Sequence, residues 1–411
     1  MRLTLKSAPG KLVFALACLA STAAYILFVG REYLAARAEQ QGNLARAVNF
    51  QPSNAEYHNR LGQLLAASGD FSAAQRHYDA ALRLNPHVAR YWLNQAMISQ
   101  RNGDPAAQQR AIEKAVEVDP RTPEVAWQAA NFYLVQGQTD KALQHFRTVL
   151  EGSQDLAPAV LDLAWRATHD VDRLLARTIP PDPAVYFAMM DVLGAYHELP
   201  ATEKAWDSLV HLRQPFDVRR GLAYVNYLIE QKQIPRAVSA WDQMTSLNRM
   251  PAYLPSENLV VNGGFDSEIL NGGFDWQYLR QPNVELSLDD TVFHGGHRAL
   301  QIIFRGPAVD DVKLSHLVPV APNKTYDFSG YFKTGQIEGA GGPRLTIVDA
   351  YTGQPYFTSD DLKNAEVWRQ VEGTFTTGPD AQLAVVKILR VPEGHPIRGN
   401  LWLDDLQLVT K

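Results

Sequence analysis

Acidic pairs and two histidines are the residues whose types could carry out chemistry in this chain. Neighbouring aspartates occur at Asp289-Asp290, Asp310-Asp311, Asp360-Asp361 and Asp404-Asp405. A glycosidase needs two carboxylates about 5 to 10 Å apart across a cleft, and turns alone explain most adjacent aspartates. His294 and His297 have a spacing seen in zinc sites, but no cysteine or third histidine supports them. We therefore interpret the histidine pair as part of an exposed loop.

Other signs of catalysis or of nucleic-acid binding are missing from the sequence. The chain has no His-Glu-x-x-His, Gly-x-Ser-x-Gly or Gly-x-x-x-x-Gly-Lys motif. The formal charge is −5 and the pI is about 6.1, without a Lys/Arg stripe that interleaves with aromatic residues. The sequence predicts a protein that is not an enzyme and has no nucleic-acid partner.

A repeat of 34 residues organises the first part of the chain. The residues that recur with this period are Pro52, Pro86 and Pro120, and Gly69, Gly103 and Gly137. Such a period is typical of a helical solenoid, whose units stack into a concave binding surface. Glycine supplies the left-handed conformation at the turn between two helices, and proline ends the second helix.

Three units align on Ala55, Ala89 and Pro123. In the first unit, small and large signature residues stand at Leu61-Gly62, Gly69-Asp70, Ala74, Tyr78, Ala81 and Pro86. The region resembles the tetratricopeptide family, closely over about 100 residues and more distantly over residues 31–250. This resemblance implies an all-α solenoid, for which we expect five to six helical pairs.

A protein partner is expected on the concave face of this solenoid, which the first helix of each unit lines. Polar residues on those helices are the candidates for contacting it: Asn59, Gln63, Asn94, Gln128 and Asn131. The alternative interpretation is that they are ordinary solvated positions.

The amino terminus carries an apolar run, Leu12 to Val29, with 18 uncharged residues. This length suffices for one membrane-spanning helix, and we predict a cytoplasmic tail and anchor over residues 1–30. A cleaved signal peptide is the alternative, since Thr22-Ala23-Ala24 offers a small-residue site. Cys18, the single cysteine, excludes an internal disulfide.

The composition changes near Pro251–Pro255, where alanine-rich helical sequence gives way to short alternating apolar runs. Such runs with turn residues between them predict an antiparallel β-sandwich over residues 256–411. The predicted strands are Val284–Leu288, Ala299–Phe304, Thr325–Thr334, Arg344–Asp349, Arg369–Thr376, Ala381–Val391 and Asn400–Val409.

An ordered series of short motifs runs through this sandwich. Asn262-Gly263-Gly264-Phe265-Asp266 opens it, His294-Gly295-Gly296-His297 follows, and Leu401-Trp402-Leu403-Asp404-Asp405 closes it. The series resembles the jelly-roll carbohydrate-binding modules of bacterial xylanases and cellulases, within the wider galactose-binding-like fold. The resemblance implies glycan binding, although many such domains bind no sugar.

Sugar recognition needs flat apolar faces for the ring and planar polar groups for the hydroxyls. The candidates for stacking are Trp276, Tyr278, Tyr331, Tyr351, Tyr356 and Trp368. The candidates for hydroxyl contacts are Arg280, Gln281, Asn283, Asp349 and Arg390. The alternative places Phe265, Tyr331, Trp368 and Trp402 in the core.

The same resemblance implies a structural calcium ion near the first and last strands. Asp266 and Asp405 would supply carboxylates, with backbone oxygens from the Gly295-Gly296 loop. The family's usual residue after the opening Phe is Glu, so Asp266 is a departure.

The order of anchor, solenoid and sandwich predicts a protein of the bacterial inner membrane with most of its chain in the periplasm. We expect the solenoid to bind a component of a polysaccharide assembly or export system, and the sandwich to bind the glycan. One alternative is a pure protein scaffold, and a second is an enzyme that acts on polysaccharide.

Overall fold

The computed structural model describes residues 8–411, with side chains from Lys11 onward. The first seven residues of the predicted cytoplasmic tail lie outside the described residues. The chain divides into two compact units, the first extending through Leu209 and the second comprising Val210–Lys411. The structure confirms the predicted helical region and the predicted β-strand region that follows it.

Fourteen α-helices are described, and consecutive helices form seven pairs. They are α1 (Ala8–Gln40), α2 (Leu44–Phe50), α3 (Ala55–Ala67), α4 (Phe71–Leu84), α5 (Ala89–Arg101), α6 (Pro105–Val118), α7 (Pro123–Val135), α8 (Thr139–Gly152), α9 (Ala157–Thr168), α10 (Val171–Arg177), α11 (Pro183–Ala195), α12 (Leu199–His211), α13 (Val218–Glu230) and α14 (Ile234–Leu247). The sequence predicted five to six pairs, which is too few.

The sequence predicted too few helical pairs because of the residues that occupy the turn inside each pair. Gly69, with a φ of +89°, separates α3 from α4, as the repeat predicts. In the last pairs the same left-handed position is held by His169, His197 and Lys232, with φ values of 46°, 59° and 57°. Non-glycine residues adopt this conformation at a cost of about 1 kcal/mol, so the glycine signal fades while the turn persists.

Close packing explains the small residues of the repeat. A Cβ atom at Gly62 would lie 2.7 Å from a ring carbon of Tyr78, whose side chain is fully buried. The aspartates at the turns also begin the second helices, since the side chain of Asp70 accepts a hydrogen bond from Ala73 N at 2.9 Å.

Ten strands form two antiparallel five-stranded sheets. The strands are β1 (Trp276–Tyr278), β2 (Val284–Asp289), β3 (Ala299–Ala308), β4 (Asp311–Pro319), β5 (Thr325–Glu338), β6 (Gly342–Asp349), β7 (Pro355–Thr358), β8 (Arg369–Thr376), β9 (Leu383–Val391) and β10 (Pro396–Thr410). The first sheet has the order β1-β4-β9-β6-β7, and the second has the order β2-β3-β10-β5-β8.

All seven predicted strands are present, and β1, β4 and β7 were missed. In β4 the alternation of apolar and polar residues is broken, because His316 is a buried polar residue with no exposed surface. Lys313 on the same strand has a φ of 58°, which interrupts the regular pleat. Both features hide a strand from a search for period-two hydrophobicity.

The last helical pair packs on the sandwich inside the second unit. The indole of Trp241 on α14 meets the rings of Phe274 and Tyr253 edge to face, with centroids 5.9 and 6.5 Å away. Asn226 on α13 accepts a hydrogen bond from Gly273 N at 2.8 Å. A Cβ atom at Gly273 would run into the Trp241 ring, so only glycine allows this approach.

Candidate binding surfaces

The outer face of the first sheet carries a row of polar side chains that crosses all five strands. Core residues such as Leu314, Val386 and Ile347 alternate with this row along their strands. Strand register pairs the members in the order Gln277, Ser315, Lys387, Thr346 and Thr358. Thr346 is buried. The amide, hydroxyl and ammonium groups of the other four can donate to sugar hydroxyls, but the row has no aromatic ring for stacking.

Two cavities lie at the β1 edge of this sheet and share Tyr278 and Leu279. The first, of about 480 Å³, is lined by Asn271, Gln277, Lys313, Ser315 and Lys387 among others. The second, of about 400 Å³, is lined by Arg280, Gln281, Glu285 and Arg305 among others. We call the two together the β1-edge groove.

Charges in the β1-edge groove are only partly paired. Lys313 bonds to Asp311, with Nζ 2.9 Å from Oδ2, and Arg305 bonds to Glu285. In the part of the chain that the structure describes, Arg280 and Lys387 have no ion-pair partner. The groove therefore offers two uncompensated cations to a ligand.

The predicted sugar-binding residues do not gather in one place. Tyr278 and Arg280 line the β1-edge groove, as does Gln281. Trp276 is fully buried against Phe265 and His316, and its Nε1 donates to Asn262 O at 3.2 Å. A stacking role for Trp276 is corrected, because neither face of its ring is open to a sugar.

Asp349, Tyr351 and Tyr356 meet at the turn between β6 and β7. Asp349 accepts hydrogen bonds from Tyr351 N at 3.0 Å and from Tyr356 Oη at 2.8 Å. Burial pushes the pKa of Asp349 up, but the bonds from Thr352, Tyr356 and Tyr351 hold it below its ordinary value. Burial and the bond to Asp349 raise the pKa of Tyr356 to about 12.

These contacts give Asp349 and Tyr356 a role in holding the turn. Tyr351 is 39% exposed, as expected for a residue at a turn, but the Lys232 ammonium lies 4.9 Å from its ring centre. Arg390 is buried and bonds to backbone carbonyls, for example Ala340 O at 2.7 Å. Asp349 and Arg390 therefore have structural partners in place of sugar hydroxyls.

Tyr331 and Trp368 join an aromatic cluster on the second sheet that the sequence analysis did not anticipate. The His294 imidazole stacks on Tyr331, with ring centroids 3.7 Å apart. Trp368 packs edge to face on the same imidazole, with ring centroids 5.7 Å apart. His294 Nδ1 also lies 2.6 Å from Asp405 Oδ2. The expected exposed loop is thus anchored through its first histidine.

Asp266 and Asp405 converge on the Gly295-Gly296 loop. A Cβ atom at Gly295 would lie 2.5 Å from Asp405 Oδ2, and one at Gly296 would run into Asp266 Oδ2. Asp266 Oδ1 accepts from His297 N at 2.7 Å, while buried Asp404 accepts from His294 N at 2.6 Å. No cluster of three or more metal-type side chains was found among the described residues.

Three carboxylate oxygens at this loop lie near Gly264, one of which, Asp404 Oδ1, accepts from Asp405 N at 2.8 Å. Asp405 Oδ1, Asp266 Oδ2 and Asp404 Oδ1 lie 3.6, 3.7 and 3.9 Å from the position of a Cβ atom at Gly264. Burial and the neighbouring Asp405 raise the pKa of Asp404. Asp266 and Asp405, the two carboxylates predicted to bind calcium, thus lie at one loop, which N–H donors already hold closed.

A groove in the solenoid collects four of the five predicted partner residues. Gln63, Asn94, Gln128 and Asn131 line a cavity of about 320 Å³ between α3, α5 and α7. Asn59 is fully buried and accepts a bond from Asn94 Nδ2 at 2.6 Å, so its predicted contact with a partner is corrected to a supporting role. We call this cavity the solenoid groove.

Two apolar side chains in the solenoid groove were missed by the sequence analysis. Met97 is 41% exposed and Val135 is 83% exposed. Each sits where the repeat pattern marks no signature residue, so only the packing of neighbouring helices shows that they share one groove with the amides.

Comparison with known proteins supports both parts of this architecture. A model described as carbohydrate binding domain matches residues 257–390, and two models described as tetratricopeptide repeat match residues 55–88 and 100–158. Cellulose synthase operon protein C of Pseudomonas fluorescens (strain SBW25) is 31% identical over 107 residues. That match covers 26% of this chain and only 8% of the relative.

Solved structures of both kinds are similar to parts of the chain. A CBM4 structure is 16% identical and covers 37% of this chain and 99% of its own, with a TM-score of 0.30. The xylan-binding domain CBM22-1 from Paenibacillus barcinonensis is 18% identical and covers 36% and 91%, with a TM-score of 0.26. Pseudomonas aeruginosa pilF is 18% identical and covers 48% and 92%, with a TM-score of 0.27.

Neither kind of matched domain is a catalytic one. The assignment rests on the family models together with the helical pairs and the two antiparallel sheets. The chain therefore combines tetratricopeptide repeats in its N-terminal half with a carbohydrate-binding-type domain at residues 257–390.

Proposed function

We propose that this chain is a non-enzymatic, membrane-anchored binding protein of the bacterial cell envelope. Its solenoid binds a protein partner and its sandwich binds a glycan during polysaccharide assembly or export. The proposal depends on one observation: a single chain contains both tetratricopeptide repeats and a carbohydrate-binding-type sandwich. The similarity to a cellulose synthase operon protein supports the polysaccharide context.

The β1-edge groove is the proposed glycan site. It contains predicted residues Tyr278 and Arg280 together with the amides of Asn271 and Gln277. Because Arg280 and Lys387 are uncompensated cations, we expect glycans that carry carboxylate or phosphate groups to bind better than neutral ones, with an affinity that falls as salt rises.

A glycan array with the full-length protein tests this site. Tyr278→Ala and Lys387→Ala should each weaken binding about tenfold, or roughly 1.4 kcal/mol. Gln370→Ala, at an exposed outward position of β8 on the second sheet, is the matched control and should bind as the wild type does. Equal loss in all three variants, or in none, would contradict the β1-edge assignment.

A pure protein scaffold is the second candidate function. It is favoured by one observation, the lack of an aromatic ring along the polar row from Gln277 to Thr358. If no neutral or acidic glycan bound the intact protein with calcium present, the scaffold would replace the glycan-binding proposal.

The solenoid groove is the proposed site for the protein partner. A photo-crosslinking residue at Asn94 or Gln128 should trap the partner in cells, while one at exposed Arg110 on α6 should not. Mass spectrometry of the crosslinked species would name the partner. Crosslinks formed only from Arg110 would show that the partner uses another face.

The calcium ion predicted from the sequence is proposed for the Gly295-Gly296 loop. Calcium would bring Asp266 and Asp405 together without charge repulsion, so it should raise the unfolding temperature of the sandwich. Asp266→Asn should abolish this calcium response, whereas Asp380→Asn, at an exposed turn, should keep it. If neither calcium nor a chelator changed the unfolding temperature of the wild type, the N–H donors alone would be shown to hold the loop closed.

A further inference from the structure

The apolar N-terminal helix is the same helix that begins the solenoid. Within α1, the apolar window with a mean hydropathy of 2.4 has no buried residue in the structure. Leu27 and Phe28 are 68% and 63% exposed, whereas Ala35 and Ala38, about two and three turns later, are 0% and 3% exposed. The helix passes from open apolar surface into packed core with no break between them.

The packed end of α1 is part of the first repeat. Ala35 and Ala38 form one core cluster with Ala47, Val48 and Tyr57, which come from α2 and α3. The apolar segment and the solenoid are therefore joined by continuous hydrogen-bonded helix and not by a linker.

A hydrogen bond fixes which part of the solenoid lies at the end of the apolar segment. Arg31, two residues beyond Val29, donates from Nε to Phe50 O at 3.0 Å. Helix α2 therefore runs back along α1, and its C-terminal end lies beside Arg31. With 1.5 Å per residue, the opposite turn, after Gln40, is about 14 Å farther along α1.

The returning end of α2 combines an aromatic ring with two cations. Phe50 is bonded through its carbonyl to Arg31, and the Arg46 guanidinium lies 5.6 Å from its ring centre. Aromatic rings and long cationic side chains are the groups that settle at the boundary between lipid tails and headgroups. In this structure Arg31, Arg46 and Phe50 lie together beside the end of the apolar run.

We propose that the turn 51–54, with Arg31, Arg46 and Phe50, is a membrane-surface site that contacts lipid headgroups, and that α1 holds the solenoid there rigidly. This inference rests on the proposed membrane anchor. Helices α2 and α3 pack on α1 in one core, so the first repeats extend beside the bilayer from this point. The partner of the surface is the bilayer in which the chain itself is anchored.

Fluorescence quenching in vesicles tests the position of this turn. In the full-length protein with Cys18→Ser, a fluorophore is attached to a cysteine introduced either at Ser53 or at Gln41, both exposed. The vesicles contain phosphatidylethanolamine, phosphatidylglycerol and a lipid with a nitroxide on its headgroup. We expect the probe at position 53 to be quenched at least threefold more than the probe at position 41.

Flotation of the same samples separates failure of the anchor from failure of this inference. If the protein does not float with the vesicles after alkaline carbonate treatment, the proposed anchor fails. If it floats and both probes are quenched equally, or position 41 is quenched more, the surface site is overturned.

Insertions after Gly30 test the rigid connection. Four alanines continue the helix and shift the solenoid by about 6 Å, so the difference between the two probes should persist. Twelve glycine and serine residues form a flexible linker and should reduce the quenching at position 53 to the level at position 41. Unchanged quenching with the flexible linker would show that α1 does not hold the turn at the bilayer.

The contribution of Arg46, which is exposed, is tested without disturbing the core. Arg46→Gln removes the charge but keeps a polar side chain, and it should lower quenching at position 53 in anionic vesicles, while Arg110→Gln on α6 should not. An unchanged value for Arg46→Gln, with flotation intact, would contradict the headgroup contact.

Discussion

At the scale of single residues, Asp275 is the most unusual group in the second unit. Its side chain is fully buried, and Oδ2 accepts from Leu270 N at 2.6 Å. Its Oδ1 atom is buried with no hydrogen-bond partner among the described residues. Burial raises the pKa of Asp275 to about 7, against the lowering effect of its backbone hydrogen bonds.

This raised pKa predicts that Asp275 weakens the second unit as pH rises. The folded state keeps the proton up to about pH 7, whereas the unfolded chain releases it near pH 4. Its contribution to stability is thus fully present below pH 4 and is lost on the way to pH 7. Asp275→Asn should be more stable than the wild type by up to about 4 kcal/mol at pH 8.

Urea unfolding at pH 4, 6 and 8 measures this effect. The advantage of Asp275→Asn should grow with pH, and exposed Asp380→Asn is the control that should show no such trend. A constant difference between Asp275→Asn and wild type at all three values would contradict a proton held by Asp275.

His316 predicts the opposite trend in the same core. Complete burial lowers the pKa of His316 to about 4, and its ring packs against Trp276. Because the unfolded chain takes up the proton near pH 6.5 and the folded state resists it, stability falls as pH drops from 6.5 to 4. His316→Gln should remove that acid-side loss in urea unfolding, and an unchanged slope would contradict the assignment.

At the scale of elements, the α13–α14 pair belongs physically to the sandwich. Trp241 is 3% exposed, and Nε1 donates to Tyr253 O at 3.0 Å. Its ring fills the space that Gly273 leaves open. A helical pair predicted to close the solenoid therefore packs on the residues 272–274 that lead into the sandwich.

Trp241→Ala should destabilise the second unit by about 3 to 5 kcal/mol, the usual range for a buried Trp or Phe truncation. Thermal unfolding followed by circular dichroism would measure the change, with Leu279→Ala, 69% exposed, as the control. A loss below about 1 kcal/mol would mean that the helical pair contributes little to this unit.

At the scale of the whole molecule, the boundary between the two compact units does not coincide with the change in sequence composition. Composition changes near residue 255, but the second unit begins at Val210. Its extra residues contribute Leu222, Asn226 and Trp241 to the contacts around Gly272 and Gly273.

A fragment spanning residues 210–411 should therefore unfold at a higher temperature than one spanning 256–411. The shorter fragment lacks both Trp241 and Tyr253, and it exposes Phe274, which Trp241 otherwise covers. Calorimetry of both fragments checks this expectation. Equal unfolding temperatures would show that the sandwich is complete without the helical pair.

Local patterns in the sequence determined the architecture, because each one reports a property of adjacent residues. The period of 34 residues follows from helix length and turn chemistry, and the seven predicted strands follow from alternation. The motifs at Asp266 and Asp405 placed two carboxylates at one loop, which the structure confirms as a juxtaposition.

Tertiary structure alone decided which side chains are free to bind, because exposure depends on elements distant in sequence. Trp276 and Asn59 looked available by residue type, but Phe265 and His316 enclose the first and Asn94 covers the second. The polar row from Gln277 to Thr358 exists only through strand register, which pairs residues as distant in sequence as Ser315 and Lys387. The sequence determined the local elements, and long-range packing determined the surfaces, because burial is a property of the assembled chain.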